Sequence, residues 1–531
     1  MKVELYDTTL RDGAQGEGIA FSPEDQLAVA QLLDGVGIHY IEGGQPAANP
    51  KAAQFFKRVR RLNLRHAKTV AFGGTCHPRR RPEEDEALEK LLDAGTRQVA
   101  IVGKAWDFHV RKVLGISLKK NLELVQSSIR FLKSRGREVF FDAEHFFDGY
   151  KENPSHALSV LSTAAEAGAT RIILCDTNGG SLIGLVSDAI DAAKRAVGVP
   201  LGIHIHNDSG LATANTLLAV EKGAVQVQGT INGYGERCGN ADLCVVIPNL
   251  YLKMGIPVIG PAQLRRLRDV SHHISELANI SPRSNQPYVG HSAFAHKGGW
   301  HADAVNKDPR TCEHVPPESV GNYRRVLVSE LAGKGSVAAK ARSMGINIDR
   351  KDRRTEELLQ RLKGLEEAGY QFEGADASLE LLMHKARGTH KSFFRHAGFR
   401  VIVEKREDNQ VISEATIKVV VDGRAEHTAA EGNGPVNALD NALRKALEPF
   451  YKEVGEMHLS DFKVRILDAK AGTGAKTRVL IESSDKDDTW NTVGVDENII
   501  EASWQALVDS IEYKLTKDER SRKKRARRRS K

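Results

Sequence analysis

Val3-Glu4-Leu5-Tyr6-Asp7-Thr8-Thr9-Leu10-Arg11-Asp12-Gly13-Ala14-Gln15 runs from a short apolar stretch straight into a polar turn. Val3 to Tyr6 reads as a buried strand, and Arg11, Asp12, Gly13 and Gln15 then sit at its exit. An isolated Arg-Asp pair is ordinarily a surface ion pair that contributes little. A second polar stretch, far along the chain, changes that reading. In Leu201-Gly202-Ile203-His204-Ile205-His206-Asn207-Asp208, strand alternation puts His204 and His206 on one face and Ile203 and Ile205 on the other. Two imidazoles side by side are two arms of a metal site. Asp12, from another strand end, would complete a His-His-Asp set with open positions, as a catalytic divalent ion requires.

From the first stretch to just beyond the second the same unit recurs. Strands are expected at Val3 to Tyr6, His39 to Glu42, Thr69 to Phe72, Gln98 to Val102, Glu138 to Asp142, Arg171 to Cys175, Leu201 to Ile205 and Val225 to Ile231. Amphipathic helical patterns alternate with them, among them Pro23 to Leu33, Leu118 to Lys133, Pro154 to Ala165 and Val186 to Val197, several closed by a glycine. Eight β-α units imply an α/β fold, a closed (β/α)8 TIM barrel. Chemistry in that architecture sits at the carboxyl ends of the strands, where Arg11, Asp12, Glu42, Glu144, Thr177, His204 and His206 all fall.

Arg11-Asp12-Gly13 with Gln15, His204-x-His206-Asn207-Asp208-x-Gly210 and Gly235-Glu236-Arg237-x-Gly239-Asn240 together resemble the signatures of the 2-isopropylmalate, homocitrate and citramalate synthases. Phe141-Asp142-Ala143-Glu144-His145-Phe146-Phe147-Asp148-Gly149-Tyr150 is most similar to the citramalate branch. The resemblance covers the chain up to its last fifteen or so residues. It implies condensation of acetyl-CoA with pyruvate and hydrolysis of the thioester to (R)-citramalate and CoA, in isoleucine biosynthesis. The alternatives are a 2-isopropylmalate synthase using 2-oxoisovalerate, a metal-dependent lyase of the HMG-CoA lyase kind, and a polyanion-binding protein.

On that resemblance Asp12, His204 and His206, with Asn240 nearby, hold a divalent ion, for which Mg, Mn and Zn all suit the ligand types. Arg11 neutralises developing enolate and alkoxide charge. Arg11, Gln15, Thr177 and Asp142 bind substrate, Thr177 taking the oxo-acid carboxylate. Phe72, Val102 and Asp142 are positioned to wall the pyruvate methyl. Glu144 and His301, the latter in Gly299-Trp300-His301-Ala302-Asp303, share the acid-base work. A tyrosine that often assists in this family is replaced here by Cys312.

The barrel is expected over residues 1–275 and a linker with small helices over 276–390, which the resemblance implies covers the barrel mouth, often that of the partner subunit. From 391 to 516 the pattern turns β-rich, and the order βββα appears twice, a duplication. The resemblance makes this a LeuA-like α+β domain that dimerises the chain and binds isoleucine as feedback effector. Gly472-Thr473-Gly474-Ala475-Lys476-Thr477 leads into a strand, lacks phosphate-loop spacing and reads as a hairpin turn.

Composition bounds the rest. The 531 residues are 40% hydrophobic and 27% charged, which suits a water-soluble protein of two to four domains. No apolar run approaches a membrane span and no signal-peptide pattern opens the chain, so a cytoplasmic enzyme without membrane partners is expected. Five scattered cysteines fit a reducing compartment. The formal charge of +8 lies wholly in residues 517–531, which hold ten of the 77 basic residues and two of the 69 acidic ones. The body is therefore neutral, and no specific nucleic-acid partner is expected. With no large apolar residue to anchor it, the basic tail 517–531 is expected to be disordered and to attract polyanions only non-specifically.

Overall fold

Short apolar runs bounded by polar turns form β1 (Glu4–Asp7), β2 (Tyr40–Glu42), β3 (Lys68–Gly74), β4 (Gln98–Lys104), β5 (Glu138–Glu144), β6 (Arg171–Asp176), β7 (Leu201–Ile205) and β8 (Gln226–Gly229). Each pairs in parallel with the next, and β8 returns to β1 with Glu4 opposite Gln226 and Asp7 opposite Gly229, closing the barrel. This computed structural model describes residues 2–297, 299–327, 334–346, 352–468, 472 and 474–529. The chain divides into two units, Met1–Phe294 with His314–Arg324, and Ala295–Glu313 with Arg325–Lys531.

In the first unit the pleat sorts side chains into two cores. Tyr6, Tyr40, Val70, Ala100, Phe140, Ile173 and Cys175 fill the barrel interior, with Tyr40 and Phe140 edge to face at 5.3 Å. Leu5, Ile41, Ile101, Phe141, Ile203 and Val227 face outward onto the helices. The helix Pro23–Val36 starts with a capping box between Ser22 and Asp25 and ends at Gly37, whose φ of 90° favours glycine.

The structure departs from the sequence reading at several boundaries. β3, β4 and β5 run two residues further at their carboxyl ends, so Lys104 and Glu144 are strand residues that pair in register. β8 is shorter than expected, because the chain turns at Ile231–Gly233 with Asn232 at φ 65°. After the barrel come two helices, Pro261–Leu264 and Leu267–Leu277. Helices Pro50–Val59, Asp107–Lys112 and Phe146–Glu152 add to those expected. The first of these carries a plain signal: Asn49 caps it, Pro50 opens it, and Ala52, Phe55, Phe56 and Val59 are buried along one face.

In the second unit, β9 (Ala295–His296) pairs with β10 (Arg325–Val326). Helices Lys334–Ser343, Arg353–Glu367 and Asp376–Arg387 gather around Val493 and Val495. The βββα order does occur twice. β11 (Arg395–Lys405), β12 (Val411–Val421) and β13 (Arg424–Gly432) precede helix Pro435–Leu447; β14 (His458–Ile466), β15 (Thr477–Ser484) and β16 (Thr489–Asp496) precede helix Ile499–Arg529. Residues 472 and 474 lie in a short 3-10 turn within the connection between antiparallel β14 and β15, and the segment leads into a strand. Alternation sets the buried faces: Ala415, Ile417, Val419 and Val421 of β12 meet Ala438, Leu439, Ala442 and Leu443.

The expectation of disorder from residue 517 onward is corrected, since the last helix continues to Arg529. Its buried stem holds it. Lys514 and Lys517 both reach Asp485, at 2.7 and 2.9 Å, and Arg520 pairs with Glu380. These acidic partners come from distant segments, so composition alone could not reveal them.

Candidate active site

Strand periodicity brings the first group together. On β7 the inward positions after Gly202 are His204 and, just past the strand, His206, both buried, while Ile203 and Ile205 join the outer core. Asp12 follows the β1 exit and is 2% exposed. Its Oδ2 lies 3.2 Å from His204 Nε2 and 3.6 Å from His206 Nε2, and the two Nε2 atoms are 3.3 Å apart. Among the described residues, this is the group of three whose ligand atoms converge tightly enough for one cation.

The surroundings fit a divalent ion. His204 Nδ1 meets Gln228 Oε1 at 3.0 Å, which leaves Nε2 facing Asp12. Asn240 Oδ1 is buried with no hydrogen-bond partner, while its Nδ2 donates to the Tyr234 carbonyl at 3.0 Å. Asn240 also bridges to His206 along the backbone. The charges interlock. Burial pushes the Asp12 carboxyl up, but Arg11 and the two histidines outweigh it and hold it well below the usual range. Burial and then the neighbouring His204 push His206 down to about 4, which keeps its ring neutral and able to ligate.

The motif residues beyond Asp12, His204 and His206 hold the loops. Arg237 grips Asp208 with two hydrogen bonds, Nε to Oδ1 at 2.8 Å and Nη2 to Oδ2 at 3.0 Å, and donates to the Thr177 carbonyl at 2.7 Å. Asn207 N–H donates to the Gly239 carbonyl at 2.9 Å. A Cβ at Gly239, whose φ is 80°, would overlap the Gly233 carbonyl oxygen, so this approach requires glycine.

Arg11 is fixed rather than free to swing. Its Nε donates to Glu42 Oε1 at 2.5 Å, its guanidinium lies 4.1 Å over the Phe72 ring, and Glu42 also accepts from Tyr6 and Thr8. Asp142, on the inward face of β5, has Oδ1 buried without a partner. Burial first, then the Glu42 charge, push its carboxyl up to about 7, so near neutrality it is a protonated donor in a large fraction of molecules. Thr177 Oγ1 accepts the His145 N–H at 3.0 Å, which leaves its own hydroxyl hydrogen to donate. That N–H is aimed by His145's left-handed backbone, φ 54°.

The barrel thus gathers Arg11, Asp12, Asp142, His204, His206 and Asn240, with Thr177 and Glu144 at neighbouring strand ends. Gln15 is exposed on the turn Gly13–Gln15. His301 belongs to the second unit, exposed on helix Gly299–Lys307, and Cys312 is exposed in the same unit. Sequence reasoning missed Gln228, Lys104 and the bracing role of Glu42. Gln226 and Gln228, alternating polar residues in a strand with both faces buried, were the available signal.

The HMGL-like family model matches residues 2–274, the homocitrate synthase post-HMGL domain-like model 288–369, and the LeuA allosteric (dimerisation) domain model 373–515. The (R)-citramalate synthase of Geobacter sulfurreducens is 56% identical over 518 residues, 97% of this chain and 98% of that protein. That of Aquifex aeolicus is 51% identical over 520 residues, 98% of each.

The chain belongs to the (R)-citramalate synthase family.

A 2-isopropylmalate synthase of Methanocaldococcus jannaschii aligns over 523 residues, 98% of this chain and 96% of that protein, but at 30% identity. In this member of the citramalate synthase family the HMGL-like match coincides with the barrel, and the LeuA match with the paired βββα units. The segment that carries His301 falls in the post-HMGL match. No described helix is long and apolar enough to cross a membrane.

Proposed function

We propose that this protein condenses acetyl-CoA with pyruvate and hydrolyses the thioester to (R)-citramalate and CoA. The convergence of Asp12, His204 and His206 at the mouth of a barrel of this family carries the reading. These three residues, with Asn240 beside them, would hold a divalent cation that supplies Lewis acidity toward the 2-oxo acid. Arg11, held by Glu42, presents fixed positive charge where the enolate and alkoxide oxygens develop; such a preorganised donor is worth about a hundredfold or more in rate. The Thr177 hydroxyl donates to the oxo-acid carboxylate. Phe72, Val102 and Asp142 close around the pyruvate methyl, and a pocket of that kind disfavours an added methylene by only about 1–3 kcal/mol. Gln15 assists at the rim.

Glu144, with His301, removes the acetyl methyl proton and returns a proton to the product oxygen. The LeuA-like domain joins two chains and takes isoleucine as a feedback effector, and the enzyme acts in the cytoplasm at the start of that amino acid's synthesis. The deciding experiment measures CoA release by the purified protein with pyruvate and with 2-oxoisovalerate, each with and without isoleucine. Faster release with pyruvate and loss of rate with isoleucine are expected. Equal or faster turnover of 2-oxoisovalerate would refute the substrate assignment.

A further inference from the structure

The barrel mouth carries a lysine with no part in the reaction proposed above. Val102 and Lys104 share the inward face of β4, and Lys104 is the Cα partner of Glu144 on β5. Their side chains form an ion pair between Nζ and Oε2, with 23% and 21% of the two side chains exposed. The backbone beneath is tied down: Asn121 Nδ2 donates to the Lys104 carbonyl at 2.9 Å and Ala105 N–H to the Glu144 carbonyl at 3.1 Å.

Beside the pair, the rings of His109 and His145 lie 4.3 Å apart, with Trp106 at 5.0 and 5.5 Å from them. His145 Nδ1 is engaged with Asp148 at 3.1 Å. Burial, then His145 and Lys104, push His109 down, away from the cationic form that would compete with Lys104 for the Glu144 carboxylate. Among the described residues, Glu144 is the carboxylate that the Lys104 ammonium reaches.

We propose that Lys104 is a positioning residue for the condensation: paired across adjacent strand ends, it holds the Glu144 carboxylate in one orientation at the barrel mouth. Arg11 and Glu42 show the same device with the roles reversed, a carboxylate locking a cation. Without the ammonium, a half-buried carboxylate loses its counter-charge and turns toward water. A proton acceptor displaced by about 1 Å costs on the order of a hundredfold in rate. The inference rests on the reading of Glu144 as an acid-base group.

The test uses the full-length enzyme loaded with its divalent cation and compares Lys104→Met, Lys104→Arg, Glu144→Gln and the double variant Lys104→Met with Glu144→Gln. Thermal melts establish that each is folded. Lys104→Met should lower kcat by about a hundredfold with little change in KM for pyruvate. Lys104→Arg should restore most of that loss, and the double variant should be no slower than Glu144→Gln alone. Effects of the two substitutions that multiply in full, a change confined to KM, or an arginine variant no better than methionine would each overturn the proposal. A Glu144→Gln variant with wild-type turnover would instead refute the reading of Glu144 itself, and with it the role of Lys104. A dead Glu144→Gln beside an active Lys104→Met would remove only the lysine.

Discussion

Replacing Gln228 by leucine tests whether the site is built for a cation. Gln228 Oε1 lies 3.0 Å from His204 Nδ1; Gln228 is fully buried and His204 is 5% exposed, so water has no ready access to replace the contact. Two costs follow from leucine. The imidazole N–H is left unpaired in the interior, at about 1–3 kcal/mol. The ring also loses the partner that directs Nε2 toward Asp12. Outer partners of this kind typically contribute about 10–100-fold in metal affinity, equivalent to roughly 1.4–2.8 kcal/mol. Competition between the full-length protein and a chromophoric chelator for Zn or Mn measures this directly, without reference to turnover. Gln228→Leu should weaken binding by that factor and recover part of its activity at high metal concentration, whereas Gln228→Glu, which keeps an acceptor at the same position, should bind better than leucine. A leucine variant that holds the cation as tightly as wild type would refute the argument.

Other outcomes follow from the same geometry. Burial pushes the Asp7 carboxyl up to about 7 from a usual 3.8. Below the lower value it is neutral in both states; between the two the unfolded chain has lost the proton that the folded chain keeps, so stability falls as pH rises, by on the order of 4 kcal/mol at pH 8. Asp7→Asn retains the acceptor for Thr9 N–H and should flatten the urea-midpoint profile across that window and raise stability at pH 8; an unchanged slope refutes it. Thr177→Ala should raise KM for pyruvate about tenfold, the equivalent of one lost hydrogen bond to a charged group, while Thr177→Ser stays near wild type; an unmoved KM in the alanine variant would release Thr177 from substrate binding. Truncation after Arg522 leaves the Lys517–Asp485 and Arg520–Glu380 pairs in place. It should leave turnover and melting temperature unchanged while abolishing salt-sensitive retention on an anionic resin. Lost turnover would give the tail a catalytic part.

Read alone, the sequence determined the barrel, the duplicated βββα units and the grouping of Asp12, His204 and His206, because each rests on a local rule. Period-two alternation sends His204 and His206 to one face whatever the rest of the chain does, and eight strand-helix units with parallel connections close into a barrel that brings Asp12 to the same end. What tertiary structure decided are the partners set by register between strands remote in sequence: Gln228 behind His204, Glu42 behind Arg11, Lys104 beside Glu144. Register depends on how the interior packs around Tyr6, Tyr40 and Phe140, and no window of sequence contains that information. The terminal helix gives the same lesson, since its basic composition reads as disorder until Asp485 and Glu380, contributed by distant segments, supply charges that hold its stem.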